Sequence, residues 1–404
     1  MSTSSSAAAD NGLPHPWLAV SAVGLATFSV VTTEMLPVGL LTPIAETLDT
    51  STGNAGLMIS LPALLAALFA PLVVIAAGGM DRRRMLCGLL GLLVIANIAS
   101  ALAPGMVWML AARILVGFCM GGIWAIAGGL AARLVPRPDI GWATSVIFGG
   151  VAAASVLGVP LGALIGDFAG WRWAFAGMAL LSGLVLALHL AVIPALPSAS
   201  TATLRQFAQQ LGGNRLLQAG LGLTLLLVAG HFMAFTFVRP LLLSLPEFDA
   251  QWVGALLLAY GVAGIAGNFL AGTIAARRTV LTLTAIALGL LLTPVLLLSL
   301  GRTPVGAGAV LLVWGLAYGG VSVGLMTWMM KAAPRALEIA TALYVSVFNV
   351  GIALGSWAGG QVVDAFSLET NLWWAGGLAA LALLLSAAMG LAERSQSGRW
   401  QPHR

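Results

Sequence analysis

Long apolar runs, separated by short segments that contain charge, proline or glycine, make up most of the chain. A helix needs about 20 apolar residues to cross a bilayer. Lipid offers no hydrogen bonds to a bare backbone, so such runs form helices rather than open strands. The pattern predicts twelve of them, at 17–41, 55–78, 85–103, 107–131, 141–166, 172–194, 219–245, 251–275, 279–300, 304–330, 336–362 and 372–392.

The two halves of the chain resemble each other. Pro37 and Pro43 in the first run recur with the same spacing as Pro240 and Pro246 in the seventh. The fifth and eleventh runs are both rich in glycine. A repeat of this kind places a substrate path between two parallel halves. The sequence predicts an all-α membrane protein with two six-helix bundles, at 17–196 and 219–392, a cytoplasmic linker at 197–218 and cytoplasmic tails at 1–16 and 393–404.

Composition supports a protein that lies mostly in lipid. Of its 404 residues, 60% are hydrophobic and 8% are charged, whereas soluble domains have about 25% charged residues. The net charge of +5 does not indicate nucleic-acid binding, because the basic residues stand singly or in short runs between apolar stretches. We find no phosphate-binding loop, zinc motif or nucleophile motif, so we expect neither an enzyme nor a cofactor or metal.

The basic residues also predict the orientation. Cytoplasmic loops of membrane proteins carry an excess of Lys and Arg. With the N-terminus inside, the outer loops hold only Arg172 and Arg302. The inner segments hold Arg82, Arg83, Arg84, Arg133, Arg137, Arg205, Arg215, Arg277, Arg278, Lys331, Arg335, Arg394, Arg399 and Arg404. This bias predicts that both termini are cytoplasmic and that the number of crossings is even.

Ionisable side chains inside the membrane are rare and commonly functional. The predicted spans contain one acid, Glu34, and two arginines, Arg113 and Arg239. Glu34 and Arg113 are expected about 10 Å below the outer surface, within the same bundle. They form either a proton site whose occupancy depends on conformation or a static pair that ties two helices together.

Four more side chains are candidates for the cavity or a gate. His231 lies near mid-membrane, where it either transfers protons or is a neutral hydrogen-bonding group. Arg239 either contacts substrate or a gate, or extends to the membrane surface. Asn349 either lines the cavity or joins helices. Trp124 lies deeper than the tryptophans expected at the membrane interface and is a candidate for the cavity.

A third group of residues is a candidate for conformational change. Asp81 and Arg82 belong to the first basic loop, which either sets topology alone or latches the outward-facing state. Small residues let helices approach closely, and proline bends them. The glycine-rich helices therefore provide either static packing or a moving interface, and the residues concerned are Gly158, Pro160, Gly162 and Gly355.

Five motifs, in order along nearly the whole chain, carry a family resemblance. They begin at Thr33 (TEMLPVGLL), Arg113 (RILVGF), Gly158 (GVPLG), Gly170 (GWRWAF) and Phe348 (FNVGIALG). The chain resembles bacterial sugar-efflux and drug-efflux permeases, which are twelve-span proton antiporters of the major facilitator superfamily. The resemblance implies proton-coupled export, with Glu34 as a proton site and Arg113 assisting. The loop at Asp81 departs from the family pattern because it lacks the usual glycine.

Together these features predict an exporter that exchanges protons for a small organic molecule such as a drug, a sugar or a metabolite. With one acid and two arginines in the membrane, a neutral or weakly acidic substrate is favoured over a cation. We expect a monomer in the bacterial inner membrane, with no nucleic-acid partner. Two alternatives stay open: an importer, by proton symport or facilitated transport, and a receptor or scaffold without flux.

Overall fold

A computed structural model describes residues 15–76, 80–196, 204–244, 250–301 and 303–398. This part of the chain is helical and has no β-strand. Eleven of its helical segments are long and apolar enough to cross a membrane. The helices are α1 (Pro16–Thr47), α2 (Thr52–Ala76), α3 (Arg82–Ala101), α4 (Met106–Leu134), α5 (Ile140–Ala169), α6 (Trp171–Val192), α7 (Leu204–Gly213), α8 (Arg215–Phe235), α9 (Val238–Leu243), α10 (Ala250–Leu300), α11 (Pro304–Gly319), α12 (Val321–Ala332), α13 (Leu337–Ala365) and α14 (Leu368–Gly398).

Two of the predicted spans are divided in the structure, and two others meet at a kink. The runs at 251–275 and 279–300 are two helical segments that meet at Arg278, where the backbone is not helical, and we number them together as α10. A straight helix of this length would rise about 75 Å, more than twice the thickness of a bilayer core. The seventh run is divided into α8 and α9, and the tenth into α11 and α12, which meet at Gly320.

Helices occupy part of the predicted linker and part of the predicted C-terminal tail. The segment 197–218 contains the short helix α7, and α8 begins within it at Arg215. Arg215 directly follows Asn214, whose side chain accepts a hydrogen bond from the backbone N–H of Leu217 and so caps α8. α14 continues into the predicted tail as far as Gly398. Residues 1–14, 197–203 and 399–404 lie outside the described residues.

Glycine stripes hold together equivalent helix pairs in the two parts of the chain. We call α1–α6 the N-terminal half and α8–α14 the C-terminal half. In α5, a methyl group at Gly158 or Gly162 would press against Thr32 or Leu36 of α1. In α13, a methyl group at Gly355 would overlap the backbone of Ala229 in α8. These three glycines therefore pack helices within a half, and the structure places none of them at a contact between the halves.

The two halves meet near the end of the fold where α1 stops and α2 begins, which we call the α1–α2 end. The Asp364 carboxylate, near the end of α13, accepts hydrogen bonds from the backbone N–H of Gly53 at 2.8 Å and from the Ser51 hydroxyl at 2.5 Å. The Phe237 ring lies against Gly56 of α2. A carboxylate at the positive N-terminus of a helix is electrostatically favourable, so these contacts close the α1–α2 end.

Candidate transport site between the two halves

Glu34 is a buried carboxyl group with an open hydrogen-bonding position. Its side chain is 1% exposed, and its Oε1 atom has no hydrogen-bond partner among the described residues. α1 extends beyond the predicted span, so Glu34 lies about 20 Å along the axis from the helix end at Thr47. It is therefore near the middle of α1. A carboxyl group at this depth has a strong cost unless it binds a proton or a partner.

Arg113 is fully buried and donates hydrogen bonds to three backbone carbonyl groups. Its Nε binds the Met58 oxygen at 2.9 Å, Nη1 binds the Thr33 oxygen at 2.8 Å, and Nη2 binds the backbone oxygen of Glu34 at 3.0 Å. Arg113 thus joins α4 to α1 and α2. A guanidinium group presents five donors in a fixed plane, which suits several acceptors on two different helices.

Proline explains why two of these carbonyl groups need an external donor. In a helix, the carbonyl of residue i accepts from the N–H of residue i+4, and proline has no N–H. Pro37 therefore frees the carbonyl of Thr33, and Pro62 frees that of Met58. Freed carbonyl groups inside a membrane must be satisfied by neighbouring side chains. Arg113 supplies donors to both.

The predicted Glu34–Arg113 pair takes a different form in the structure. The two residues meet, but through the Glu34 backbone, and no ion pair joins the guanidinium to the carboxylate in this part of the fold. The guanidinium and the carboxyl interact only electrostatically, over a distance longer than that of an ion pair. The structure therefore separates two roles that the sequence had combined: Arg113 ties helices together, while the Glu34 carboxyl remains available.

His231, in α8, lies inside an aromatic cluster of the C-terminal half. Its imidazole ring stacks on the Tyr318 ring, with centroids 3.4 Å apart, and on the Phe235 ring at 4.9 Å. Trp314 and Tyr260 contact its ring edges. These rings come from α8, α10 and α11, so the cluster holds three helices together around one polar group.

Hydrogen bonds fix the tautomer of His231. The indole N–H of Trp314 donates to Nδ1 at 3.1 Å. Because indole is only a donor, Nδ1 must carry a lone pair, and the proton of the neutral ring is on Nε2. Nε2 then donates to the Tyr260 hydroxyl at 3.4 Å. An imidazolium ring could not accept from Trp314, so His231 is neutral in this conformation.

Tyr318 connects the two halves of the candidate site. Its partly exposed ring covers His231 in the C-terminal half. Its hydroxyl also lies within electrostatic reach of Glu34 in the N-terminal half and of Tyr344 in α13. The acid of α1 and the aromatic cluster are therefore candidates for parts of one site.

Arg239, in α9, bridges the halves at the α1–α2 end. Its side chain is 4% exposed, so it does not extend to the membrane surface. Nη2 forms an ion pair with Asp167 of α5 at 2.7 Å, and Nη1 donates to the backbone oxygen of Gly39 in α1 at 3.0 Å. This position suits a gate residue better than a substrate ligand.

Trp124 and Asn349 have less defined surroundings. The Nε1 of Trp124 has no hydrogen-bond partner in the described ranges, and its ring packs against Phe148 of α5. Asn349 is buried and donates to the carbonyl of Val345 in its own helix, while its Oδ1 has no partner among the residues described. Both retain polar atoms that a ligand could use, and neither joins two helices through a hydrogen bond.

Asp81 lies against its own half rather than across the interface. Its carboxylate caps α3 by accepting from the N–H of Arg84 at 3.1 Å, and it accepts from the N–H of Leu196 at 2.6 Å. The backbone N–H of Arg82 donates to the Leu196 oxygen at 2.9 Å. In this conformation the loop is therefore attached to the end of the N-terminal half.

The contacts of Asp81 predict a stability effect at acidic pH. Partial burial raises its pKa, but the hydrogen bonds from Arg84 and Leu196 outweigh burial and hold the pKa below its ordinary value. The stabilisation is complete above about pH 4 and is lost as the pH falls through the lowered pKa. Thermal unfolding in detergent should show that Asp81→Asn is less stable than wild type at pH 7 and that the difference is smaller at pH 3. An equal difference at both pH values would contradict this.

Several side chains of the candidate site were not identified in the sequence. Asp167 lies one residue after the predicted span that ends at 166, and Asp364 lies two residues after the span that ends at 362. The apolar pattern therefore assigns both to loops. Tyr260, Trp314 and Tyr318 surround His231 but lie far from it in the sequence. The carbonyl group four residues before each proline has no helical donor, so the sequence could have identified the freed carbonyl groups. It could not have identified their donors.

Comparisons with known proteins agree on one family. A family model described as Major Facilitator Superfamily matches residues 23–356. The Purine ribonucleoside efflux pump NepI of Salmonella typhimurium is 32% identical over 382 residues, which is 94% of this chain and 95% of that protein. A protein of Pseudomonas aeruginosa named Transcription regulatory protein OpdE is 32% identical over 379 residues, covering 92% of each chain.

Solved structures share the fold. A bacterial homologue of the human lysosomal transporter Spinster, in an inward-facing and unoccupied conformation, matches 97% of this chain and 100% of its own with a TM-score of 0.76 at 15% identity. The human organic anion transporter MFSD10 matches 92% of this chain and 99% of its own with a TM-score of 0.68 at 18% identity. At these identities the likeness concerns the arrangement of helices only.

Proposed function

Since the chain belongs to the Major Facilitator Superfamily, we propose that it exports a small neutral organic molecule in exchange for protons, by alternating access. The observation that carries this proposal is Glu34, a buried acid in mid-helix whose Oε1 has no hydrogen-bond partner among the described residues. Export is supported by 32% identity, over nearly full length, to a protein named as a purine ribonucleoside efflux pump.

The membrane arrangement is also part of the proposal. The basic residues favour both termini in the cytoplasm, and the bend of α10 at Arg278 allows that helix to count as two crossings, which gives twelve. The α1–α2 end then faces outside and is closed in this structure. We place the protein in the bacterial inner membrane as a functional monomer, because two halves of one chain enclose the whole path.

Proton coupling would use Glu34 as the exchanging group. When the α1–α2 end opens, a proton from outside neutralises the carboxyl and lowers the cost of burying it as the halves close again. When the opposite end opens, the proton leaves to the cytoplasm, and the substrate enters the same region. Substrate and proton thus favour different orientations of one molecule, which is the coupling that antiport requires.

A neutral heterocycle such as a purine ribonucleoside suits this site. Flat rings stack well on aromatic side chains, and Tyr318 presents its ring on the C-terminal side. Trp124 and Asn349 retain unpartnered polar atoms for hydrogen bonds to a base or a sugar. Asp81 and Arg82 are proposed to join the halves at the cytoplasmic end once the outer end opens.

The direction of transport can be measured in everted membrane vesicles. With the vesicle interior acidified, we expect radiolabelled inosine or adenosine to accumulate inside, and the uptake to stop when a protonophore removes the pH gradient. Uptake driven by an alkaline interior would indicate symport instead. No flux of any neutral nucleoside, drug or sugar, in vesicles that contain folded protein, would favour a sensory role such as the name of the Pseudomonas relative suggests.

His231 is expected to tune affinity without carrying the coupled proton, because Trp314 holds its ring neutral. His231→Gln should raise the KM for substrate by about two- to tenfold, the range expected for losing an aromatic contact. It should leave the number of protons exchanged per substrate unchanged. Parallel measurements of nucleoside flux and proton flux in proteoliposomes would check both, and loss of coupling in His231→Gln would contradict the neutral role.

A further inference from the structure

Prolines inside the helices free more carbonyl groups than those bound by Arg113. Pro43 in α1 removes the helical partner of the Gly39 carbonyl, and Pro71 in α2 removes that of the Ala67 carbonyl. An unsatisfied carbonyl in the membrane is costly. Each of these two carbonyl groups therefore needs a hydrogen-bond donor from outside its own helix.

Both of these carbonyl groups accept a hydrogen bond from the opposite half. Arg239 of α9 donates to the Gly39 oxygen at 3.0 Å, and the Ser346 hydroxyl of α13 donates to the Ala67 oxygen at 2.7 Å. By contrast, the carbonyls freed by Pro37 and Pro62 accept from Arg113 inside the N-terminal half. The prolines thus create two classes of acceptor, one that stabilises a half and one that joins the halves.

We propose that the carbonyls freed by Pro43 and Pro71 accept hydrogen bonds that hold the α1–α2 end closed, and we call this pair of hydrogen bonds the lock. Ser346 is a positioning residue of the lock. Ser346 and Ala67 lie well below the α1–α2 end, about 20 Å along α2 from its first residue. The lock therefore extends along the interface and is not confined to the surface contacts of Asp364 and Asp167.

The lock depends on conformation because its acceptors face the interface. When the halves are together, Ala67 is 2% exposed and its carbonyl accepts a hydrogen bond from Ser346. When the halves separate at this end, water can hydrogen bond to the same carbonyl at little cost. Loss of the Ser346 hydroxyl should then destabilise the closed state and leave the open state nearly unchanged. The inference rests on alternating access and on neither the proton nor the substrate.

A double-mutant cycle with Pro71 isolates the proposed contact. Ser346→Ala should lower the ratio of closed to open molecules at the α1–α2 end by about three- to fifteen-fold, the range for hydrogen bonds between membrane helices. Pro71→Ala restores an N–H that can bind the Ala67 carbonyl within α2. In that background, Ser346→Ala should change the ratio by less than about twofold, since the carbonyl no longer needs an external donor.

The ratio can be read as distances between spin labels, without substrate or a pH gradient. Phe168 and Phe366 are exposed at the α1–α2 end, one in each half, and Trp142 and Met330 are exposed at the opposite end. Cysteines at each pair, after Cys87→Ala and Cys119→Ala, would carry the labels. Because the readout requires no transport, a failure of the lock is distinguishable from a failure of proton-coupled export.

Two control variants make the result specific. Ser356, on the same helix, forms its side-chain hydrogen bond with Thr236 inside the C-terminal half at 2.7 Å, so Ser356→Ala should leave the distances unchanged. Ser346→Thr keeps the hydroxyl and should remain close to wild type, which separates loss of the donor from misfolding. An equal shift for Ser346→Ala with and without Pro71, or no shift with Pro71 present, would overturn the proposal.

Discussion

Arg113→Ala is expected to lower the free energy of unfolding by about 2–6 kcal/mol, because it leaves two proline-freed carbonyl groups without a donor and each costs roughly 1–3 kcal/mol. The carbonyls of Thr33 and Met58 are buried between α1, α2 and α4, where no water replaces the guanidinium. We expect a lower midpoint of thermal unfolding in detergent and a smaller yield of monodisperse protein.

A rescue experiment separates this structural role from a role in transport. Pro62→Ala gives the Met58 carbonyl a helical N–H, so it should recover part of the stability that Arg113→Ala loses, while having little effect alone. Arg172→Ala is the matched control: that side chain is exposed, donates to the Ala103 carbonyl at 3.0 Å and lies over the Trp171 ring, and its loss should cost about 1 kcal/mol or less. If Arg113→Ala abolishes transport with unchanged thermal stability, Arg113 acts in coupling instead.

Glu34→Gln is expected to abolish transport driven by a pH gradient while it preserves exchange of substrate across the membrane. Glutamine has the size of a protonated glutamic acid and hydrogen-bonds similarly, but it cannot release a proton. In proteoliposomes, accumulation of nucleoside against its gradient should fall to the level of protein-free vesicles. Exchange of labelled for unlabelled substrate should continue, because it requires only the binding site and movement of the halves.

Glu46→Gln provides the control within the same helix. Glu46 is exposed near the end of α1. Its loss should leave accumulation and exchange as in wild type. Loss of exchange as well as accumulation in Glu34→Gln would show that Glu34 binds substrate or supports the fold, and it would remove the evidence for a dedicated proton site.

The sequence predicted the membrane helices well, because apolar length alone is nearly sufficient to specify a span. It placed a break between the two segments of α10, and the backbone departs from helical geometry at that point, at Arg278. It missed α7, which lies in a polar stretch without a long apolar run. The predicted helix boundaries were wrong where charged residues lie inside a helix.

The site was predicted in part. The sequence indicated Glu34, Arg113, His231 and Arg239 because ionisable groups are rare in lipid, and the structure places all four in buried positions. It could not show that Arg113 binds backbone oxygens, since opposite charge suggested the Glu34 carboxylate. The partners of His231 come from α10 and α11 and are brought together only by tertiary packing, which sequence spacing does not reveal.

The most direct test of proton-coupled export is substrate-induced proton release from acid-loaded everted vesicles that contain wild type, Glu34→Gln or Glu46→Gln. We expect a purine ribonucleoside to release protons from the wild-type and Glu46→Gln vesicles and none from the Glu34→Gln vesicles. Equal release from all three would show that Glu34 is not the coupling group. Nucleoside transport by wild type without proton release would contradict proton-coupled export itself.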